Sequence, residues 1–532
     1  MRQILGKSVH TGARTRRVLS RRSSLSGERN IVTRLSKLEV TELLSLLEVA
    51  ERAYTGPRQE EMDWNMGLFK TMQNLVSRHK LAYSGPDIYM SVDDDYVDRA
   101  YRAAVEFLST NGVYCITTNR IIHFDEEEVL EAAKAAPSEI VLGEGRDTRI
   151  VRKRFTEDSK PVNVISGGHC PWPQEVAIMA QAAYARVQRG DMIEGFNMLQ
   201  TDGHAVHGLP MAVYAAKREA EMMREAVRVA GRPGMAITLY PVLTSSGPMI
   251  APSDPEQGLR RTDGLLLSIL PDTKVEADYI ANAIHYERYG GYKVNGGCYS
   301  AVGGFCGGVE GAMVETMVKG FAAWMVYRDQ MQYGGSVSSQ EDVLTSRWRE
   351  EMVKGAVEEK LKTPNWPTYV VHRALARHTN IIRFGGFGGS TGLGGIGSEA
   401  DFLSIAKTTM ANTVLGVNLS CTTGGNPTPL HVEFKVEAAD ATVKAKIRRE
   451  EVPGIEKKID ALIVERLQGR REAIMGDRRM YAYVDFERYY GEMKAAYDFV
   501  NGKPTKETAT NADRARRLLR DLGLDLEAAA TQ

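Results

Sequence analysis

Apolar and polar positions along the chain fall into two regimes. Over residues 35–160 the spacing is mostly helical. Leu43, Leu44, Leu46, Leu47 and Ala50 give an apolar face near the helical period. Tyr96–Ser109 reads as a second helix, opened by Asp93–Asp95, acids that suit the positive end of a helix dipole. Asp125-x-x-Glu128 has the form of a capping box and predicts a third helix, ended by Pro137. Val113–Thr117 and Ile140–Leu142 predict short strands around it.

Beyond residue 160 short apolar runs alternate with helical stretches. Strands are predicted to begin near residues 162, 195, 235, 265, 298, 331, 380 and 414, at spacings of 33, 40, 30, 33, 33, 49 and 34. Helical patterns such as Pro173–Gln188, Met211–Ala230 and Val309–Gln330 fill the gaps. Eight βα units of this length predict an α/β fold, a closed (β/α)8 TIM barrel, and disfavour a doubly wound open sheet. The expected organisation is a basic tail without a core over 1–30, a mainly helical region over 31–160 packed on the barrel, the catalytic barrel over 161–432, and a helical C-terminal region over 433–532 that ends in Ala512–Leu524.

Composition narrows the function classes. The 532 residues are 43% hydrophobic and 26% charged, and 68 basic residues balance 68 acidic ones. That excludes a dominant basic field for nucleic acid. The first thirty residues depart from this balance, with a net charge of +7 against −7 for the rest. An Arg/Ser-rich, acid-poor start has the composition of a transit peptide or of a plain disordered tail. Five scattered cysteines make no disulfide framework and point to a reducing compartment, the cytoplasm. No apolar run reaches the ~20 residues that cross a bilayer.

A barrel places its chemistry in the loops that follow the strands. The predicted exit segments are Ser166–Trp172, Gln200–His207, Thr238–Tyr240 with Thr244–Ser246, Gly303–Gly308, Gly334–Ser336, Gly385–Gly397 and Asn418–Cys421. They hold three of the ten histidines and three of the five cysteines. Gly392-Leu-Gly-Gly-Ile-Gly397 spells a dinucleotide fingerprint, but the strand ends near Phe384, too early for its tight turn, and no acid for a ribose follows about 20 residues later. A flexible glycine lid, or backbone approach to a large cofactor, suits Gly385, Gly386, Gly388, Gly389, Gly392 and Gly394 better. Asp202, His204 and His207 lie in one loop, open to structural, acid–base or metal-binding roles, with His169 or Cys170 able to complete a metal set. No Cys-x-x-Cys or His-Glu-x-x-His is present, and no metal is assigned. Trp172, Tyr240 and Phe305 suit an aromatic cage for a cation or ordinary core packing.

Several stretches carry a family resemblance. They are Gly112-Val-Tyr-Cys-Ile-Thr-Thr-Asn-Arg-Ile-Ile122, Val141-Leu-Gly-Glu-Gly-Arg-Asp147 with Val151-Arg-Lys-Arg154, Ala230-Gly-Arg-Pro-Gly-Met235, Gly303-Gly-Phe-Cys-Gly-Gly-Val-Glu310 and Leu519-Arg-Asp-Leu-Gly-Leu524. In this order, over residues 65–525, the chain resembles monomethylamine:corrinoid methyltransferase. The resemblance implies a (β/α)8 barrel, a homo-oligomer of hexamer type, and methyl transfer from methylamine to the Co(I) of a partner corrinoid protein, with no corrinoid tightly bound to this chain. The family carries pyrrolysine three residues after the methionine of Ala-Gly-Arg-Pro-Gly-Met, where this chain has Thr238. A nearby family glutamate falls at Gly297, and the glutamine partner has no match.

The leading expectation is a pyrrolysine-free, corrinoid-dependent methyltransferase acting on a small methylated substrate, with Thr238, His204, His207 and Asp202 as catalytic candidates. His169, Gln200, Tyr240, Phe305 and Asn418 are candidates for holding the substrate. The rival readings are a metal-dependent TIM-barrel hydrolase or lyase built on His169, His204 and His207, and a non-catalytic homologue that only binds a corrinoid protein.

Overall fold

In the computed structural model, which describes residues 44–83, 92–168, 170–302, 304–338, 366–385, 394–421, 427–467 and 486–527, the local signals at the chain's start are realised as caps. Ser45 and Glu48 form a capping box on helix Leu46–Thr55. Asp125 and Glu128 do the same for Glu126–Ala135, as their spacing predicts. Asp93 caps Asp94–Asn111 by accepting the Tyr96 N–H at 2.7 Å. Each cap satisfies an amide that the helix leaves open, worth about 1 kcal/mol.

Eight parallel strands then close into a barrel in sequence order. They are β1 (Val164–Gly167), β2 (Met192–Glu194), β3 (Ala236–Leu239), β4 (Gly264–Leu267), β5 (Tyr292–Ala301), β6 (Met331–Ser338), β7 (Ile382–Gly385) and β8 (Asn418–Ser420). A helix follows each strand: α1 (Gln174–Ala185), α2 (Gly208–Val229), α3 (Ser246–Ile250), α4 (Ala277–Tyr289), α5 (Val309–Tyr327), α6 (Trp366–His378), α7 (Glu399–Val414) and α8 (Pro429–Lys444). The predicted (β/α)8 architecture is therefore the observed one.

Three strand starts differ from the sequence reading by three residues or more. β2 begins at Met192, not 195, and β5 begins at Tyr292, six residues before the predicted 298. β8 begins at Asn418, because Val414 ends the buried face of α7 and Leu415 caps that helix. Gly416, at φ +81°, makes the break, and a Cβ there would overlap the Phe155 backbone.

The lower end of the barrel, where the strands start, is plugged by a hairpin of Glu139–Leu142 paired antiparallel with Arg149–Arg152. Its Leu142 and Val151 share a core with Ile165, Met192, Ala236, Met331 and Ile382. The C-terminal helix Lys506–Asp521 packs on the opposite rim, where Thr508 meets Gly397. No described helix is long and apolar enough to cross a membrane.

Candidate active site

Side chains alternate across a strand, so residues two apart share a face. Ala236 lies in the barrel core, which puts Thr238 on the inner face of β3. Thr238 is fully buried, and its Oγ1 lies 2.7 Å from the Tyr292 hydroxyl. That hydroxyl donates to the Ile237 carbonyl at 2.9 Å. A carbonyl can only accept and a phenol has one proton, so the Thr238 hydroxyl must donate to Tyr292. The Thr238 oxygen keeps its lone pairs for another partner. Gly264 on the intervening strand makes this reach possible, since a Cβ there would overlap the Tyr292 ring.

The same alternation places Glu194, two residues after the core residue Met192, on the inner face of β2. Glu194 is fully buried and pairs in register with Thr238 on one side and Gly167 on the other. Gly167 has φ +79°, and a Cβ there would overlap the Glu194 carbonyl. The Glu194 charge reaches Cys170, Tyr292 and Tyr333. Burial first, and Glu194 next, push the Cys170 thiol and the Tyr333 phenol up. Tyr292 is pushed well above its ordinary range by burial and then by Asp263. All three stay protonated at neutral pH. The Tyr333 hydroxyl finds no hydrogen-bond partner among the described residues, and its ring packs edge-on to Phe384 at 6.2 Å. Asn197 ties the exits of β2 and β3 by donating to the Tyr240 carbonyl.

Other sequence candidates lie elsewhere. Asp202, His204 and Gln200 form a small exposed hairpin, and His207 is exposed at the start of α2. Asp202 accepts from Gln174 at 2.9 Å and from the Tyr214 hydroxyl, so it orients neither histidine by a described hydrogen bond. Tyr240 is partly buried with its hydroxyl 3.3 Å from that of Tyr279, and Phe305 is half-buried. Trp172 packs edge-on against Tyr490 and Phe499. Asn418 starts β8 at the lower end, accepting from Asn163 N–H at 3.0 Å and donating to the Arg152 carbonyl at 2.8 Å.

Gly385 faces Asn412 of α7, and Gly394 turns at φ +73° beside Ser398. His169, Gly386, Gly388, Gly389 and Gly392 lie outside the described residues. Among the described residues no group of three or more His, Cys, Asp or Glu is placed to hold a metal ion.

Sequence reasoning missed Glu194, Tyr292 and Tyr333. The signal for Glu194 was an acid at the end of a barrel strand, hidden by starting that strand at 195. The late start given to β5 hid Tyr292 in the same way. Tyr333 lies inside the strand predicted to begin near 331, and the strand pattern alone does not mark it.

The described geometry can be set beside known proteins. The family model for monomethylamine methyltransferase MtmB matches residues 44–357. Among curated relatives, monomethylamine methyltransferase MtmB of Methanosarcina mazei is 29% identical over 310 residues, 56% of this chain and 66% of that protein. Monomethylamine methyltransferase MtmB2 of Methanosarcina acetivorans matches with the same identity and coverage. The chain thus spans just under two thirds of the length of these relatives. The crystal structure of the Methanosarcina barkeri monomethylamine methyltransferase (MtmB) superimposes with a TM-score of 0.74 at 22% identity, over 91% of this chain and 99% of that one. The likeness in structure extends the common barrel beyond the region of sequence similarity. Because the family model covers more than half of its residues, the chain belongs to the monomethylamine methyltransferase MtmB family.

Proposed function

We propose that this protein transfers a methyl group from a small, amine-type methylated substrate to the Co(I) of a corrinoid carried by a partner protein, in the cytoplasm and without pyrrolysine. The observation that carries the reading is the setting of Thr238. At the position where the motif match puts pyrrolysine, a short hydroxyl side chain faces the barrel interior, between Tyr292 and the register neighbour Glu194.

A threonine hydroxyl has no electrophilic carbon with which to capture an amine. What remains for the chain is to hold the methyl group in line with cobalt and to keep water out, which can supply much of a displacement's rate. The electron pair of Co(I) forms the new Co–C bond, and the pair of the broken C–N bond leaves with nitrogen. A quaternary or protonated nitrogen leaves as a neutral amine and needs no protein acid. That suits the exposed positions of His204 and His207. The corrinoid is a substrate on its own protein here, and no residue of this chain is assigned to hold it permanently. Apolar side chains exposed near the start of the described residues, Leu47, Tyr54, Met62 and Met66, support the homo-oligomer of hexamer type that the resemblance implies, which light scattering tests.

The test mixes the purified protein with its cognate corrinoid protein reduced to Co(I) and offers methylated amines in turn. The expected result is the optical change from Co(I) to methyl-Co(III) with a quaternary or tertiary amine and little with monomethylamine. Efficient transfer from monomethylamine would refute the role given to Thr238. Partner binding without transfer from any amine would leave the non-catalytic reading.

A further inference from the structure

We infer that Asn197 is a positioning residue for the methyl transfer: its side-chain amide and its backbone N–H tie together the exits of β1, β2 and β3 and so fix where Thr238 stands. The role rests on the proposed reaction at Thr238, and Asn197 serves it without touching the substrate.

The tie begins where the regular ladder stops. β2 and β3 pair as far as Glu194 and Thr238. One step further the Gly195 N–H donates to the Thr238 carbonyl at 2.7 Å. Two residues on along both chains, the next bond between them comes from a side chain, as the Asn197 Nδ2 donates to the Tyr240 carbonyl. On the other flank the Gly168 N–H donates to the Glu194 carbonyl at 3.0 Å, and the Asn197 N–H donates to the Cys170 carbonyl at 3.1 Å. Pro171, which has no N–H to give, forms a bridge with Asn197. One residue at the exit of β2 therefore holds the exits on both sides.

Asn197 is only 5% exposed, so water does not readily replace these bonds. A carbonyl only accepts, which fixes the amide with its nitrogen toward Tyr240. Thr238 lies between the two bonds from β2, one to its own carbonyl and one to that of the residue two positions on. From β5, Tyr292 holds the Ile237 carbonyl and the Thr238 hydroxyl. In the displacement the Co(I) electron pair enters along the C–N axis and the C–N pair leaves with nitrogen. Misplacing such a reaction by about 1 Å can cost about 100-fold in rate. A tie at this height of the barrel thus acts on the rate. Asn163 makes one of similar chemistry at the lower end, accepting the Arg152 N–H and donating to the Ile150 carbonyl, both at 3.0 Å.

The test compares Asn197→Ala with Asn163→Ala in the full-length protein by two readouts. Single-turnover formation of methyl-Co(III), with the cognate corrinoid protein and a quaternary amine, should slow by roughly 10–100-fold in Asn197→Ala and stay within about twofold of wild type in Asn163→Ala. Amide hydrogen exchange should quicken by about tenfold over residues 195–199 in the first variant and over residues 139–152 in the second. A merely structural Asn197 would leave the single-turnover rate of the folded variant unchanged. An unchanged rate in folded Asn197→Ala, unchanged exchange over residues 195–199, or an equal loss of rate in Asn163→Ala overturns the assignment.

If Asn197→Ala does not fold, Asn197→Asp decides. It keeps the shape but turns an oxygen, not an N–H, toward the Tyr240 carbonyl, and it should show the same slowing and the same faster exchange, whereas wild-type values in both overturn the assignment. If wild type transfers no methyl group from any amine, the proposed function falls, and the exchange readout still decides whether Asn197 holds the three exits.

Discussion

The two ends of the barrel are built on opposite principles. At the lower end two buried carboxylates are held by arginines and backbone amides. Asp263 accepts the N–H groups of Ile237 at 2.9 Å and Arg260 at 2.7 Å and pairs with both Arg224 and Arg260. Asp147 pairs with Arg232 and accepts the Gly234 N–H at 3.0 Å. Above these pairs the hairpin side chains Leu142 and Val151 seal an apolar layer. At the upper end the interior holds Glu194, Thr238, Cys170 and Tyr333 among neutral hydroxyls and aromatic rings. The lower end is a foundation of paired charges, whereas the upper end sets polar side chains among aromatic rings.

The largest effect should come from breaking the foundation. Asp263→Ala leaves Arg224 and Arg260 without their shared carboxylate, and removing one partner of a buried ion pair costs about 3–5 kcal/mol. Urea denaturation should show the loss as a lower midpoint. A change below 1 kcal/mol would mean that the lower end is not held together by these pairs.

Substitution at the upper end should do the reverse. Glu194→Gln is expected to lower kcat/KM for methyl transfer by roughly 10–100-fold, the weight of one interaction with a charged group. Its melting temperature should change little, because the amide keeps the shape and the hydrogen-bonding capacity of the carboxyl. A sharp fall in melting temperature with turnover intact would place Glu194 in the foundation.

A smaller, pH-dependent effect should come from Glu219, a fully buried residue of α2 whose Oε1 accepts the Met198 N–H at 2.7 Å and so holds the chain leaving β2. Burial pushes its carboxyl well above the usual value of 4.5, and the Met198 N–H only partly opposes this. Between the unfolded and folded pKa the native state holds a proton that the unfolded chain has released. Stability therefore falls as pH rises through that window. Glu219→Gln keeps an acceptor for Met198 and removes the titration. Its melting temperature relative to wild type should be more favourable at pH 8 than at pH 5, and a gap that does not change with pH would sink the argument.

The uneven legibility of the two ends has a physical cause. Element type and order are written locally, in caps such as Asp125 and Glu128 and in strand spacing, and the structure realises both. The inward or outward sense of a strand residue flips with a one-residue slip. Starting β2 three residues late hid Glu194, and starting β5 six residues late hid Tyr292. Thr238 was reached because a motif fixed its position, independently of strand boundaries. Its bond to Tyr292 joins residues 54 apart in sequence, through a gap that Gly264 leaves, and no local pattern encodes it.

The smallest effect concerns the histidines that the sequence singled out. A histidine that protonates the departing amine would lower turnover by roughly 10²–10⁴-fold on replacement by alanine. His204 and His207 instead sit exposed, on the hairpin and at the start of α2, and Asp202 is bonded to Gln174 and Tyr214. Thr238 and Glu194, by contrast, are fully buried inside the barrel. A nitrogen that leaves as a neutral amine also needs no proton from the rim. His204→Ala and His207→Ala, singly and together, should therefore change kcat by less than about threefold, and stability by within about 0.5 kcal/mol, as is usual for exposed positions. Single-turnover measurement of methyl-Co(III) formation with a quaternary amine reads the chemical step directly. A loss of a hundredfold or more in that step, with folding intact, would bring the hairpin into the active site and move the boundary between the two ends of the barrel upward to include it.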